Sequence, residues 1–425
     1  MFNELVYWPE GKSPYDFQLS ALDFAVDHIE ERSRSFYLNL EPGLGKTIVA
    51  ALLTNYLNLR QRCQAYYVCP PFLVTNTEAE FIAWGVPRNQ FVIIPDTKIK
   101  GLQTLRDGPK VLFVDEAHRF KNDKANRTLD LFELAREFDL IVFMSGTPMP
   151  NSRPYELWPL LSRFAPHLFG TQFMPFGRRY CEGHKTRFGW DFRGFSNEAE
   201  FWHKLRPWML SMKKAEVLKS LPPKREGLLT VGPGMPPTLS KLEKAVLQHY
   251  APKDLMKREI PLSKGQAAMH LIEYLRHLGE LKVKHVFPYI ESILFDTTEN
   301  IILFAHHKAV IDQLELWLKN FNPVVITGST PVKKRQALVD EYQENPGRRV
   351  FIGNITASGI GFTLTKATRV IFVEFLWTDG ENQQAADRAH RIGQNETVLV
   401  QYVVLKDSFD RRRMEIILNK REKAL

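Results

Sequence analysis

The sequence predicts an α/β protein built from two parallel-sheet lobes, and three features carry that prediction. At 425 residues the chain exceeds one ordinary core, so two domains of roughly 200 residues are its natural division. Short, nearly continuous apolar runs alternate with helical stretches in two separate series. Between the series, residues 151–290 follow neither rhythm.

The first series places strands at Ser35–Leu40, Ala65–Cys69, Phe91–Ile94, Val111–Val114 and Leu140–Met144. Each is apolar almost throughout, as parallel strands buried on both faces require. Helices are expected at Leu19–Glu30 and Thr47–Arg60. The second series places strands at Ile301–Phe304, Val324–Thr327, Val350–Ile352, Val370–Val373 and Val398–Val404, with helices at His307–Lys319 and Val332–Gln343. In the intervening stretch, Pro154–Phe164 and Glu198–Leu210 read as helical, Leu221-Pro222-Pro223-Lys224 as a hinge, and Leu239–Leu281 as a helical insert. The charged segment Asp407–Ala424 reads as a final helix. The expected domains are a first lobe over 1–165, a linker with helical inserts over 166–295, a second lobe over 296–405 and a C-terminal helical brace over 406–425.

Composition excludes several classes. With 44% hydrophobic and 25% charged residues the chain is neither disordered nor fibrous. Cys63, Cys69 and Cys181 form no CxxC pair and no zinc spacing, so a disulfide framework is not expected. No apolar window reaches the length of a membrane span. The start of the chain shows no secretory pattern, so the protein is not expected to be secreted. Lys and Arg number 57 against 48 Asp and Glu, a formal charge of +9 that favours a polyanionic partner without proving one.

The sharpest motif is Leu40-Glu41-Pro42-Gly43-Leu44-Gly45-Lys46-Thr47, between an expected strand and an expected helix. Backbone N–H groups and a helix N-terminus suit phosphate there, Lys46 adds a point charge, and the Thr47 hydroxyl suits Mg²⁺. Leu40 stands where the strict phosphate-loop pattern has Gly, and a lone Gly-Lys-Thr also suits a loop feeding an amphipathic helix. The next motif strengthens the phosphate reading. Val111–Val114 runs into Asp115-Glu116-Ala117-His118, a buried strand ending in two carboxylates, one to hold Mg²⁺ and one to orient the attacking water. The plainer alternative is an Asp that caps a helix.

Phosphoryl transfer also needs positive charge on the transferred group. Arg388 and Arg391, three apart in Gln384-Ala385-Ala386-Asp387-Arg388-Ala389-His390-Arg391-Ile392-Gly393-Gln394, are expected on one helical face. The active site would then assemble when the lobes close. Near the start, Gln18 carries an amide able to read an adenine edge, though alone it suits an ordinary surface position.

From about Tyr15 to Arg413 these motifs, in this order, resemble superfamily-two helicase-like ATPases of the Swi/Snf (sucrose-non-fermenting) family. The most specific stretches are Asp115 to Asn122, Ser145-Gly146-Thr147-Pro148, Thr356 to Thr365 and Asp387 to Gln394. Ser152 to Leu157, Phe188 to Gly194 and Met212 to Lys224 resemble the fork-remodelling, annealing-helicase branch. The resemblance implies two RecA-like lobes, ATP and Mg²⁺. It assigns Gln18 to adenine, Gly43, Leu44, Gly45, Lys46 and Thr47 to phosphate, and Thr47 and Asp115 to the metal, with Glu116 orienting water. Ser145 and Thr147 would couple nucleotide state to DNA grip, and Gly359, Gly361 and Thr363 would follow the tracked strand, with Gly361 also at the nucleotide. Gln384, Arg388 and Arg391 would sense the γ-phosphate. Leu40-Glu41-Pro42 replaces the family's usual Asp-Glu-Met, and Ile94-Pro95-Asp96-Thr97 its usual Thr-Thr-Tyr-like segment.

The expected function is ATP-dependent translocation on double-stranded DNA, forked or branched DNA included, with remodelling and no obligatory unwinding. A strand-separating DNA or RNA helicase and a nucleotide-gated DNA-binding scaffold stay open. Two lobes and their inserts use up the chain, so the expectation is a bare, monomeric motor targeted by its inserts or by a protein partner. Its place would be the cytoplasm or nucleoid of a prokaryote or virus, or a eukaryotic nucleus.

Overall fold

The computed structural model describes residues 6–104, 108–187, 189–249, 266–358, 362–376 and 379–422. The chain divides into two compact units, Met1–Lys219 and Ser220–Leu425.

Unit 1 is organised by β1 (Ser35–Leu40), β2 (Gln64–Cys69), β3 (Phe91–Pro95), β4 (Lys110–Val114) and β5 (Leu140–Met144). A small antiparallel hairpin of β6 (His184–Thr186) and β7 (Gly189–Asp191) stands apart, and β8 (Met209–Met212) completes the main sheet. The sheet runs β3-β2-β4-β5-β1-β8, and all its pairs are parallel. Every residue of β2 and of β5 is buried, which explains their unbroken apolar character. Because the strands are parallel, the C-terminal ends of β4, β5 and β1, which are neighbours, open on one edge of the sheet, where ligands bind in open α/β sheets.

Unit 2 repeats the plan with β9 (Lys224–Val231), β10 (Ile301–Ala305), β11 (Val324–Ile326), β12 (Val350–Asn354), β13 (Arg369–Phe372) and β14 (Val398–Leu405). Its parallel sheet runs β11-β12-β10-β13-β14-β9. Alternation within β10 divides the core: Ile301, Leu303 and Ala305 pack on one face, Ile302 and Phe304 on the other. The long helix Gln266–Asp296 covers the first face, and its buried Lys282 donates to Asp410 Oδ2 at 2.8 Å and to the Val403 carbonyl at 3.0 Å. Asp410 belongs to the final helix, Phe409–Glu422, so that helix is tied to the sheet.

All ten expected strands form. The stretch expected as linker and inserts contributes more than helices. The helix beginning at Glu198 stops at Leu205, and Met209–Met212 becomes the edge strand β8 beside β1. The expected hinge at Pro222-Pro223-Lys224 runs straight into β9, which pairs with all of β14. Pro154–Phe164 is a 3₁₀ turn, Pro154–Glu156, followed by a helix, Trp158–Phe164. The insert expected over Leu239–Leu281 corresponds to the helices Pro237–His249 and Gln266–Asp296.

Candidate active site

The ends of β1, β5 and β4 each release one motif. After β1 the chain turns through Gly43 (φ 94) and Gly45 (φ 79), left-handed values that a glycine adopts without steric cost, and enters the helix Lys46–Arg60. Leu40 lies in the extended strand, so the position needs no glycine. Its carbonyl accepts a hydrogen bond from Lys46 Nζ at 3.0 Å. Glu41 Oε2 accepts from the backbone N–H of Lys214 at 2.8 Å, which uses Glu41 to fasten the segment after β8. Pro42 packs so closely on Gly146 that a Cβ there would sit 2.6 Å from Pro42 Cδ.

Gln18 is fully buried against the loop. Its Nε2 donates to the Leu44 carbonyl at 3.2 Å and its Oε1 accepts from the Tyr15 N–H at 3.0 Å. The side chain therefore braces the loop, a role that sequence alone did not suggest.

At the end of β4, Asp115 is buried, and burial, then the neighbouring Glu116 carboxylate, push its carboxyl up to about 6, against the pull of Lys46. The Tyr67 hydroxyl bridges the two residues expected at the metal: it lies 3.4 Å from Thr47 Oγ1 and hydrogen-bonds Asp115. Tyr67 was not foreseen, because only the pairing of β2 with β4 brings it there. Glu116 adopts φ 48, ψ 47 as the strand gives way to a turn. A buried carboxylate, a second carboxylate and a hydroxyl fit Mg²⁺, which is held by one or two carboxylates together with phosphate oxygens and asks for no larger acidic cluster.

The end of β5 joins this group. Ser145, fully buried, lies 2.9 Å from His118 Nδ1, donates a long 3.5 Å bond to Glu116 Oε2 and accepts from the Thr147 N–H at 3.1 Å. Burial lowers the His118 pKa from its ordinary value. Two further anchors were missed. Asp96 accepts from Arg119 Nε at 2.6 Å, so the unusual Asp96 position holds the end of the acidic motif. Buried Glu156 gathers Lys121 Nζ at 3.3 Å and the Asn151 N–H at 2.7 Å.

In unit 2 the helix Asp379–Ala386 ends before Arg388, which corrects the expectation that Arg388 and Arg391 share a helical face. The chain turns because the Arg388 carbonyl accepts from the Leu364 N–H at 2.9 Å. Arg391 Nη1 donates to the Phe362 carbonyl at 3.4 Å. Buried Gln394 fixes the turn through Nε2, which faces the carbonyls of Ala367 at 2.8 Å, Thr365 at 3.0 Å and Ala389 at 3.1 Å. Gln384 is half-buried on the helix and Thr363 is exposed. Gly359 and Gly361 lie outside the described residues, as does Phe188.

Residues 94–283 match the SNF2-related domain and residues 283–393 the helicase conserved C-terminal domain. The chain is 31% identical over 421 residues to the SWI/SNF-related matrix-associated actin-dependent regulator of chromatin subfamily A-like protein 1 of Xenopus tropicalis, covering 94% of this chain and 43% of that protein. It is 33% identical over 315 residues to the DNA annealing helicase and endonuclease ZRANB3 of Mus musculus, covering 71% and 28%. The chain thus spans less than half the length of these curated relatives. The solved Sulfolobus solfataricus SWI2/SNF2 ATPase core in complex with dsDNA aligns at TM-score 0.44 and 18% identity, over 97% of this chain and 92% of that one.

Proposed function

Because this chain belongs to the SNF2-related family of helicase-like ATPases, we propose that it hydrolyses ATP to move along double-stranded DNA, remodelling it without obligatory unwinding. One observation carries the reading: Lys46, Ser145 and the Asp115–Glu116 pair issue from three adjacent strand ends, and Ser145 touches Glu116.

Lys46 and the N–H groups after Gly43 hold the β- and γ-phosphates. Gln18, which braces the loop, fixes its shape, and its amide is assigned to the adenine edge. Thr47 and Asp115 hold Mg²⁺, which supplies charge neutralisation at the phosphates. Glu116 orients the attacking water. Gln384, Arg388 and Arg391 are assigned to the transferred phosphoryl group, where the two arginines supply positive charge. Ser145, linked to Glu116, His118 and the Thr147 N–H, passes the state of the nucleotide to the segments that grip DNA, among which we count Thr147, Gly359, Gly361 and Thr363.

A net charge of +9 suits a phosphate backbone. Among the described residues no helix is long and apolar enough to cross a membrane. We take the motor to act as a monomer targeted by a protein partner, wherever its DNA lies: nucleus, nucleoid or cytoplasm.

ATPase rates measured with duplex, forked and single-stranded DNA and with RNA test the proposal. Duplex or forked DNA should stimulate most. Greater stimulation by single strands or RNA would replace it with strand separation, and slow turnover that no nucleic acid changes would replace it with a nucleotide-gated scaffold.

A further inference from the structure

The segment that carries Gln384, Arg388 and Arg391 is gripped by the strand that opens unit 2. Lys224, first residue of β9, donates through Nζ to Gln383 Oε1 at 2.7 Å and to Asp387 Oδ1 at 2.8 Å, and lies 3.4 Å from Glu226 Oε1. Glu226 accepts in turn from Gln383 Nε2 at 3.0 and 3.1 Å, and from the hydroxyl of buried Tyr402 at 3.4 Å. Two residues before Lys224, the Pro222 carbonyl lies 2.8 Å from His390 Nε2, which must be protonated to donate to it. The side chains of Lys224, Glu226 and Asp387 are all at most 16% exposed.

The residues gripped alternate with those assigned to the phosphate. Gln383 precedes Gln384, Asp387 precedes Arg388, and His390 precedes Arg391. Folding alone does not call for this arrangement, because a buried ion pair is often no more stabilising than apolar residues of the same volume. What a fully satisfied polar network provides is one geometry in place of several. On its other flank the segment meets 362–367 through backbone and amide contacts of Leu364, Phe362 and Gln394.

We propose that Lys224, supported by Glu226, is a positioning residue of the ATPase: it sets the turn from Gln383 to Arg391 so that Arg388 and Arg391 reach the transferred phosphoryl group. The inference rests on the ATPase reading given above. Since Lys224 also begins the strand that follows the unit boundary at Ser220, the chain entering unit 2 acts directly on the arginine turn.

The test is steady-state ATPase of the full chain carrying Lys224→Met, Lys224→Arg, Arg388→Ala and the Lys224→Met/Arg388→Ala pair, with saturating duplex DNA. Lys224→Met should lower kcat about tenfold and leave KM for ATP within about twofold, because an interaction felt in the transition state, and not in ground-state binding, is lost. Lys224→Arg should restore most of kcat. In the Arg388→Ala background Lys224→Met should cost almost nothing further, since residues acting as one unit are non-additive. Unchanged kcat, or a loss that multiplies with that of Arg388→Ala, would overturn the proposal. If Lys224→Met does not fold, Glu226→Gln, which keeps the shape, carries the same expectation. Absence of turnover in the unsubstituted protein would count against the ATPase reading; hydrogen exchange across Gln383–Arg391, faster in Lys224→Met if Lys224 holds the turn and unchanged if it does not, then decides this inference separately.

Discussion

Lys46 donates to the carbonyl oxygen of Leu40 at 3.0 Å, so the cation of the phosphate loop is tied to the last residue of the strand from which the loop springs. This one bond is worth about 1 kcal/mol to the fold, whereas the charge at phosphate is worth far more to catalysis. Lys46→Ala should therefore lower ATP turnover by at least about a hundredfold, with a melting temperature within a few degrees of the unsubstituted protein. ATPase assay and thermal melting, run on the same preparation, check both halves.

The raised Asp115 carboxyl makes a prediction of opposite sign for stability and activity. Its folded pKa, about 6, exceeds the ordinary 3.8. The native state therefore binds the extra proton between those values, and its relative stabilisation is present below the unfolded pKa and lost as pH rises through about 6. At pH 7.5 the buried carboxylate is thus a net cost to the metal-free protein. Asp115→Asn removes it and should raise stability by on the order of 1–2 kcal/mol in EDTA, while abolishing turnover. The advantage should shrink as pH falls from 7.5 toward 5. Melting curves of both proteins across that range decide it; an advantage that grows with acidity would refute the account.

Ser145 is the meeting point of three partners, Glu116, His118 and the Thr147 N–H. Ser145→Ala leaves the half-buried Thr147 N–H without its acceptor and should cost about 1–2 kcal/mol of stability. It should also reduce the increment in ATPase rate that DNA produces more than the rate without DNA. Equal proportional losses in the two rates would mean that Ser145 serves the chemistry alone.

Gly146 has backbone as well as side-chain neighbours: a Cβ would meet Pro42 Cδ at 2.6 Å and the Leu40 carbonyl oxygen at 2.8 Å. The strand end cannot yield as a flexible side chain could, so Gly146→Ala should displace Pro42 and the loop behind it, at about 1–3 kcal/mol. Nucleotide affinity should fall, and duplex DNA binding measured without nucleotide should not. Titration with a fluorescent ATP analogue and anisotropy with labelled DNA separate the two.

Where both faces of a strand are buried, the sequence announces it: Val111–Val114 and Leu140–Met144 are apolar at every position and each forms as expected. Of the four strands missed among the described residues, β6 and β7 pair only with each other, and β8 and β9 are edge strands of the main sheets. Met209–Met212 includes a serine, and β9 opens Lys-Arg-Glu-Gly directly after two prolines, since an edge strand has solvent on one side and needs no continuous apolar run. The residue types of the site were legible because phosphate chemistry restricts them to short motifs. Their neighbours were not. Tyr67 reaches Asp115 through strand pairing, Gln18 reaches Leu44 across 26 residues, and Lys224 reaches Asp387 across 163. The Arg-x-x-Arg spacing misled because a long-range bond from Leu364 to Arg388 stops the helix that the spacing implied.

The two edge strands also decide where this chain can be cut. A fragment ending at 165 would lack β8 and leave the open side of β1 unpaired; one starting at 296 would lack β9 and strip all eight residues of β14. Bare strand edges recruit other strands, so fragments trimmed to the apparent limits of each sheet would stick to one another. Division near 219 leaves each half its own border strand. The stretch that looked like a connector in the sequence is the selvedge of both fabrics.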